Sequence, residues 1–453
     1  MPSRDPTRFI YLLAGALISR EWTAANLKAV LRQASADRPL RAPKFIEKIL
    51  AKFPSAPSYN DLAAFLRADP SLTRAFSRAA LQASASPRPR KPKMEDPPPR
   101  LTSINIPNLP TPAALAQCFG INIDRLLWRA DVTGRNRKHP PGPLRTYRYR
   151  WIPRRNGPPR LLEIPKVALK QMQRKILAEI LNQIPAHPAA HGFRPGRSIL
   201  TNAAPHCGKS IVLRFDLADF FPSVTSARVF RIFRTIGYPS PVARLLMGVC
   251  TTSLPADVWD ARPGARLGSD FHARQRLITR HLPQGAPTSP ALANLAATRL
   301  DRRLSGLAAT ASAIYTRYAD DLIFSGDDTL ARSRKRFATH VALIATDEGF
   351  TLNHRKTRMM RPGVRQHVTG VVVNIHPNLP RAEFDRLKAI LTNCARQGPA
   401  SQNRQNLPDF RAHLVGKLAH VASIHSARGE KLRTLFNQID WAEKSDEQAN
   451  ADN

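Results

Sequence analysis

Cysteine is scarce in this 453-residue chain, with four in all: Cys118, Cys207, Cys250 and Cys394. None lies within metal-ligand spacing of another, which excludes a zinc ribbon or knuckle. Four thiols in a chain of this length make no secreted disulfide scaffold either. Long apolar runs are missing too. The longest near the start, FIYLLAGALI (Phe9–Ile18), is shorter than the about 20 residues a bilayer span needs. Arg4 and Arg8 ahead of it hint at a signal-peptide core. Arg20 and Glu21 follow at once without a good cleavage site, so the run reads as a buried helix. A cytoplasmic, reducing setting is the default expectation, with no membrane partner. No internal repeat is visible.

Acidic residues are the third shortage. Asp plus Glu is 33 against 70 for Lys plus Arg, a formal charge of +37. Such an excess calls for a polyanionic partner, because neutralising phosphates releases condensed counterions. Nucleic acid is the first candidate and an anionic membrane the second. Apolar residues make up 42%, so the chain is not disordered. Its length allows two to four domains at roughly 100–200 residues each.

Residues 1–83 read as a helical N-terminal extension. Leu62, Phe65 and Leu66 share one face, and Asn60 or Asp61 is placed to cap that helix. Residues 84–100, SASPRPRKPKMEDPPPR, are a Pro-rich basic linker. From 101 onward short strands alternate with helices, an α+β pattern. Thr146–Pro153 alternates with period two, Asn156-Gly157 signals a turn, and Arg160–Pro165 returns as the partner strand. Lys166–Ile184 is an amphipathic helix. A strand leads into Asp216, and SAIYTRYADDLIFSG reads as two strands joined at Ala319–Asp321. Thr288 or Ser289 is placed to cap a helix with Pro290 in its first turn. The C-terminal stretch is helical, with one stripe of Phe384, Leu387 and Leu391 and another of Phe410, Leu414, Leu418 and Val421. Residues 444–453 read as a disordered tail.

In so basic a chain, aspartates inside apolar strands need a reason. Asp216 and Asp219 sit in IVLRFDLADFFPSV, and Asp320 and Asp321 in IYTRYADDLIFSG. Burying a carboxylate is costly unless it is paired or bound to a metal. Mg²⁺ takes one or two carboxylates plus substrate phosphates. Two ions about 4 Å apart activate an attacking hydroxyl and stabilise a leaving oxygen. An Asp-Asp pair at a hairpin is also ordinary turn chemistry, so the order of the other segments decides.

Those segments resemble a reverse transcriptase. Tyr318-Ala319-Asp320-Asp321 is similar to the family's catalytic tetrad and Asp216 to its first metal aspartate. LPQGAPTSPALANL (Leu282–Leu295), GFTLNHRKT (Gly349–Thr357) and HGFRPGRSI (His191–Ile199) resemble further family blocks, in order from about 146 to 441. NAAPH (Asn202–His206) and VTGVVVN (Val368–Asn374) resemble blocks of retron reverse transcriptases.

The resemblance implies a right-hand polymerase. Fingers and palm would occupy 101–375 and a helical thumb 376–443. It implies in-line attack of a primer hydroxyl on a dNTP, with Asp216 and Asp320 as the main ligands of two Mg²⁺ ions and Asp321 third, facing partly away. Phe221 would lie under the sugar and exclude a 2′-hydroxyl. Gln284 would bond near the sugar, and Gly285, without a Cβ, would admit close approach of the nucleotide and its pairing partner. Arg160, with Arg154 or Arg155, would grip the triphosphate. Lys356 would protonate or neutralise leaving pyrophosphate. Asn202 and His206 would contact RNA or brace the palm. Val368, Thr369 and Gly370 would form a primer-grip hairpin.

A retron enzyme implies a cognate structured non-coding RNA, the DNA copied from it and linked to it, priming from a guanosine 2′-hydroxyl, a bacterial host, an effector protein and anti-phage defence. A group II intron-like or other bacterial reverse transcriptase is the rival enzyme. A non-catalytic RNA-binding scaffold is the rival of another class. Relative to the shortest retron enzymes the chain adds residues 1–100 and a basic stretch at Pro255–Arg280.

Overall fold

The computed structural model describes residues 6–18, 22–34, 42–69, 93–98, 104–154, 158–263 and 271–441. Arg155, the Asn156-Gly157 turn, most of the 84–100 segment, the stretch beyond Asp69 of the helix expected around Leu62, and the 444–453 tail lie outside them. The chain divides into two compact units, Met1–Lys91 and Pro92–Asn453. Among the described residues no helix is long and apolar enough to cross a membrane.

The first unit contains helices α1 (Pro6–Ile18), α2 (Ala24–Ala34), α3 (Ala42–Lys52) and α4 (Tyr59–Ala68). Leu13, Leu17, Leu27, Leu31, Ile49, Leu62 and Leu66 close one core. The cap of α4 is Ser58, not Asn60 or Asp61. The Ser58 hydroxyl accepts from the Asp61 amide, while Asp61 stands in the first turn. A carboxylate there still favours the helix through its dipole.

The second unit opens with α5 (Pro112–Cys118) and α6 (Ile123–Ala130). A hairpin follows, β1 (Tyr147–Ile152) paired antiparallel with β2 (Arg160–Pro165), then α7 (Val167–Glu179). The helix expected to reach Ile184 gives way to a 3₁₀ turn over Leu181–Gln183. A short helix α8 (Ile199–Ala203) precedes β3 (Ile211–Ala218). Next come α9 (Ser226–Thr235), α10 (Ser240–Cys250), α11 (Ala256–Asp260), α12 (Phe271–Ile278), α13 (Ser289–Ala296) and α14 (Thr298–Thr310). Thr288 precedes α13 in helical conformation and its hydroxyl caps nothing. The Ser289 hydroxyl instead donates to the Pro283 carbonyl, 2.7 Å away.

The central sheet combines β3 with β4 (Ile314–Tyr318), β5 (Asp321–Gly326), β6 (Thr351–Leu352) and β7 (Arg358–Met360), in the order β4-β5-β3-β6 with β7 also on β3. The long helix α15 (Asp328–Asp347) joins β5 to β6. A further hairpin, β8 (His367–Val368) with β9 (Val371–Val372), leads to α16 (Arg381–Gln397), α17 (Phe410–Ile424) and α18 (Ser426–Asn437).

Period two along the strands splits the sheet into two faces. Ile211, Leu213, Phe215 and Leu217 of β3, with Leu322 and Phe324 of β5, enter a large core shared with α9, α10, α14 and α15. Val212 and Ile323 enter a second core with Val368, Val371, Leu387, Leu391, Leu414, Leu418 and Val421. The alternate positions beyond Val212 on β3 are Arg214 and Asp216. The face that receives the C-terminal helices is therefore the one that carries the strand carboxylates.

Candidate active site

Strand register brings the acidic residues together. Asp216 is the direct antiparallel partner of Asp321, and Tyr318 pairs with Asp321 across β4 and β5. The turn between β4 and β5 is Ala319-Asp320, with Ala319 at φ 56°. The Asp320 carbonyl accepts from the Leu217 amide at 2.8 Å, which ties the turn to β3 beside Asp216. The three carboxylates thus meet at one end of the sheet, although 104 residues separate Asp216 from Asp320 in numbering.

Their electrostatics follow from burial and mutual repulsion. Burial raises the pKa of Asp320, and the neighbouring Asp216 charge raises it further. Burial also lifts Asp321, to about 6. Arg214 opposes that shift, and the Asp320 charge adds to it. Arg214, two residues before Asp216 on the same strand face, donates Nε and Nη2 to the two Asp321 oxygens, each at 3.0 Å. This planar two-bond pairing is a strong form of ion pair. Asp216 is 3% exposed and accepts from Lys356 Nζ at 3.1 and 2.9 Å, while the Lys356 side chain stays half exposed. The lysine expected to face a departing pyrophosphate therefore sits on the first aspartate. It supplies the positive charge that a buried carboxylate requires.

Among the described residues no group of three or more His, Cys, Asp or Glu stands arranged to hold a metal ion. Asp321 is committed to Arg214, which departs from a three-carboxylate ligand set. Asp216 and Asp320 remain as two carboxylates whose charges oppose one another. That donor set fits a hard divalent cation completed by substrate phosphates.

The opposite face of β4 fixes this end of the sheet. Arg317 is wholly buried and pairs with the equally buried Asp301 of α14 through two bonds of 2.7 Å. It also donates to Asn294 Oδ1 at 2.9 Å and to the Ala319 carbonyl at 3.1 Å. Tyr315 donates its hydroxyl to Asp301 at 2.8 Å. The His191 amide donates to the Arg317 carbonyl at 2.7 Å, and the next residue, Gly192, lies so close that a Cβ there would stand 2.6 Å from the Ala319 nitrogen. The His191-Gly192 segment is thus packed against the back of the turn.

Two residues of the NAAPH block lie in the interior. Asn202 and His206 are both fully buried. His206 bridges Ser325 Oγ of β5 at 2.7 Å and Thr316 Oγ1 of β4 at 2.8 Å. Burial, and then the charges of His191 and Lys209, hold its pKa down to about 3. His206 thus ties two strands of the sheet together, while the buried side-chain amide of Asn202 has no hydrogen-bond partner among the described residues. Val368 is likewise buried. Thr369 and Gly370 form the β8–β9 turn with φ of 48° and 87°, and the Thr369 hydroxyl donates to the Ile199 carbonyl at 3.3 Å. Positive φ at both central positions matches the tight turn that suits strand twist.

The remaining expected residues surround the carboxylates at greater reach. Arg160 is exposed on β2. Burial and its neighbour Arg154 lower its pKa, while the Asp320 charge pulls the other way. Phe221 is half buried, its ring 6.1 Å from Phe193, which in turn lies 6.4 Å from Tyr318. Gly285 has φ 135°, and a Cβ there would stand 2.9 Å from the Glu163 carbonyl. The close approach seen at Gly285 is to the β2 backbone. The Gln284 carbonyl accepts from the Glu163 amide at 2.9 Å. Beneath them Glu163 accepts from or pairs with His281 at 3.0 Å, both buried. Burial opposes charging of His281, but the Glu163 carboxylate outweighs it and its pKa is raised.

Arg214, Arg317, Asp301, Glu163 and His281 were not singled out as site residues from sequence. Arg214 and Arg317, like the aspartates, interrupt strand runs that are otherwise buried. Asp301 and His281 carry no such signal.

Comparison with known proteins gives a consistent result. The profile of the family described as reverse transcriptase (RNA-dependent DNA polymerase) matches residues 152–389. The chain is similar to the Retron Mx65 reverse transcriptase of Myxococcus xanthus, 46% identical over 281 residues. That alignment spans 62% of this chain and 62% of the relative, so it leaves over a third of the relative unmatched. The Retron Mx162 reverse transcriptase of the same organism is 33% identical over 75% of this chain and 69% of its own. The Retron Ec86 reverse transcriptase of Escherichia coli is 30% identical over 65% of this chain and 82% of its own.

Proposed function

The chain belongs to the reverse transcriptase family, among its retron members, and from that premise we propose that it copies part of a cognate structured RNA into DNA that stays linked to that RNA. The observation that carries the chemistry is the register pairing of Asp216 with Asp321 and the Asp320 turn held against β3. In this reading the β1–β2 hairpin belongs to the fingers, the central sheet to the palm and α16–α18 to the thumb.

Asp216 and Asp320 would hold the divalent ions, with Mg²⁺ the cation suited to two carboxylates and phosphates. Two such ions, when bound, activate an attacking hydroxyl and stabilise the leaving oxygen. Lys356 neutralises Asp216 in their absence and is free to swing toward phosphate, because half its side chain is exposed. Arg214 holds Asp321 as electrostatic support rather than as a ligand. Arg160 and Arg154 would grip the triphosphate through planar guanidinium groups, with Arg155 in the same turn. Phe221 would sit under the deoxyribose and leave no room for a 2′-hydroxyl, and Gln284 would lie near that sugar. Arg317 and Asp301 position the turn and touch no substrate.

The proposal extends to the further steps that the retron resemblance implies: priming from a guanosine 2′-hydroxyl of the cognate RNA, service in a bacterial cytoplasm, and anti-phage defence with a separate effector protein. The +37 charge suits a chain that stays on its RNA–DNA product.

The test is dNTP incorporation by the purified chain on an RNA template with a DNA primer and Mg²⁺. The wild-type chain incorporates, and Asp216→Asn and Asp320→Asn each lose activity by at least about 100-fold, since metal stabilisation is worth several kcal/mol. Undiminished incorporation by either variant would refute the carboxylate assignment.

A further inference from the structure

Phe193 holds a backbone conformation that its side chain disfavours. Its φ is 62°, in the left-handed region. The other non-glycine residues at positive φ among the described residues are Asp131, Asp219, Ser312, Ala319, Thr369 and Asn406, all with small or short side chains. For a bulky side chain such a φ is an outlier. Burial does not offset the strain, because Phe193 is 47% exposed. A residue held this way persists only where its surroundings over-determine it, and such residues gather at functional sites.

The flanking chain supplies that constraint. The Arg317 amide donates to the Ala189 carbonyl and the His191 amide to the Arg317 carbonyl, each at 2.7 Å. Asn294 donates Nδ2 to the Gly192 carbonyl at 2.9 Å, while its Oδ1 accepts from Arg317. Arg194 donates Nη1 to the His187 and Ala190 carbonyls at 3.0 and 3.1 Å. The residues before Phe193 are thus tied to the same buried Arg317 that holds the Ala319 carbonyl. Glycine would adopt this turn without strain, so the phenyl ring is what the strained turn delivers.

That ring stands between two rings of the site. It lies 6.1 Å from Phe221 and 6.4 Å from Tyr318, tilted at 44° and 43°. Phe221 also meets Phe220, a buried ring 5.7 Å away. Of these two neighbours of Phe221, one belongs to the core and the other is Phe193, half in solvent.

We propose that Phe193 is a positioning residue for sugar discrimination: its ring limits how far the Phe221 ring can retreat, and so how firmly a 2′-hydroxyl is refused. The proposal rests on the polymerase reading and on Phe221 as the residue beneath the sugar. Phe193 acts through Phe221 and touches no nucleotide. Without it, Phe221 can turn into the vacated space and make room for a ribose.

The test measures kcat/KM for a ribonucleotide relative to the matching deoxyribonucleotide, on an RNA template with a DNA primer and Mg²⁺. Phe193→Gly should raise that ratio about threefold to tenfold, the range that loss of one aromatic contact allows. Phe193→Tyr, which keeps the ring, should keep the wild-type ratio. Phe221→Ala should raise the ratio by itself, and adding Phe193→Gly should raise it no further, because residues that act through one another do not add. A ratio unmoved in Phe193→Gly but raised in Phe221→Ala overturns the proposal and leaves the polymerase reading standing. Full additivity in the double variant also overturns it, since Phe193 would then meet the nucleotide itself. A ratio unmoved in Phe221→Ala removes the residue beneath the sugar, and this proposal with it. A wild-type chain that incorporates no dNTP removes the polymerase reading as a whole, and the proposal falls with it. Thermal unfolding confirms that Phe193→Gly is folded; should it unfold early, Phe193→Asn, which also tolerates this backbone, takes its place.

Discussion

The two faces of the β4–β5 hairpin carry ion pairs of opposite character. On the core side Arg317 and Asp301 are both wholly buried, and the guanidinium is further tied to Asn294 and to the Ala319 carbonyl. On the other side Asp216 is paired to Lys356, whose side chain remains half in water, and Asp321 to Arg214, which is one quarter exposed. The closed pair has no route by which to exchange partners. The open Asp216–Lys356 pair does, because a cation and phosphates arriving from solvent can replace Lys356 without emptying a core. The difference teaches a division of labour: one face fixes where the turn lies, and the other keeps its charges available.

The largest effect expected is on the closed face. Arg317→Met leaves the Asp301 carboxylate buried without its cation and should cost about 3–5 kcal/mol, read by denaturant unfolding. A loss below about 1 kcal/mol would mean the pair is not dry, and the contrast between faces would fail. Gly192→Ala presses a methyl group against the turn nitrogen and should cost about 1–3 kcal/mol by the same measurement. It should also slow incorporation, since that contact locates Asp320. Wild-type stability after the change would show that the turn yields easily.

His206 extends the comparison to pH. Its folded pKa is depressed from 6.5 to about 3. Its contribution is therefore fully present above the unfolded value and is lost as pH falls, because the unfolded chain takes up the proton first. Between those values the wild type should lose about 1.4 kcal/mol per pH unit through this one group. His206→Gln should show a shallower fall in unfolding free energy between about pH 6 and about pH 4. Parallel slopes would remove His206 as a neutral brace. The smallest effect belongs to Arg381 and Asp385, an exposed pair one helical turn apart on α16. Arg381→Ala should change stability by no more than about 0.5 kcal/mol. A larger loss would mean that exposure does not separate strong pairs from weak ones in this chain.

Much of the site was legible because its signals are local. Asp216 and the Asp320-Asp321 pair stand out as carboxylates in apolar strands, and the β1–β2 and β4–β5 hairpins follow from alternation. What stayed hidden depends on partners distant in the chain. Arg317 interrupts an apolar strand as the aspartates do, but its partner Asp301, on a helix reached only through the fold, is what explains its burial. Gly285 reads as an opening for a ligand because its neighbour across space, the β2 backbone, is 122 positions upstream of it. The helix caps failed for a smaller reason. Several polar residues cluster at each start, and the one whose backbone turns outward becomes the cap, as Ser58 does ahead of Asp61.

The central claim is that Asp216 and Asp320 form a divalent-cation site on the open face while Asp321 stays with Arg214. Mn²⁺ titration followed by electron paramagnetic resonance tests it directly. The sample is the purified chain with an RNA template, a dideoxy-terminated DNA primer and the next dNTP. Tight Mn²⁺ binding in the wild type should disappear in Asp216→Asn and in Asp320→Asn and persist, weakened, in Asp321→Asn. Equal Mn²⁺ binding by the wild type, Asp216→Asn and Asp320→Asn would contradict the account.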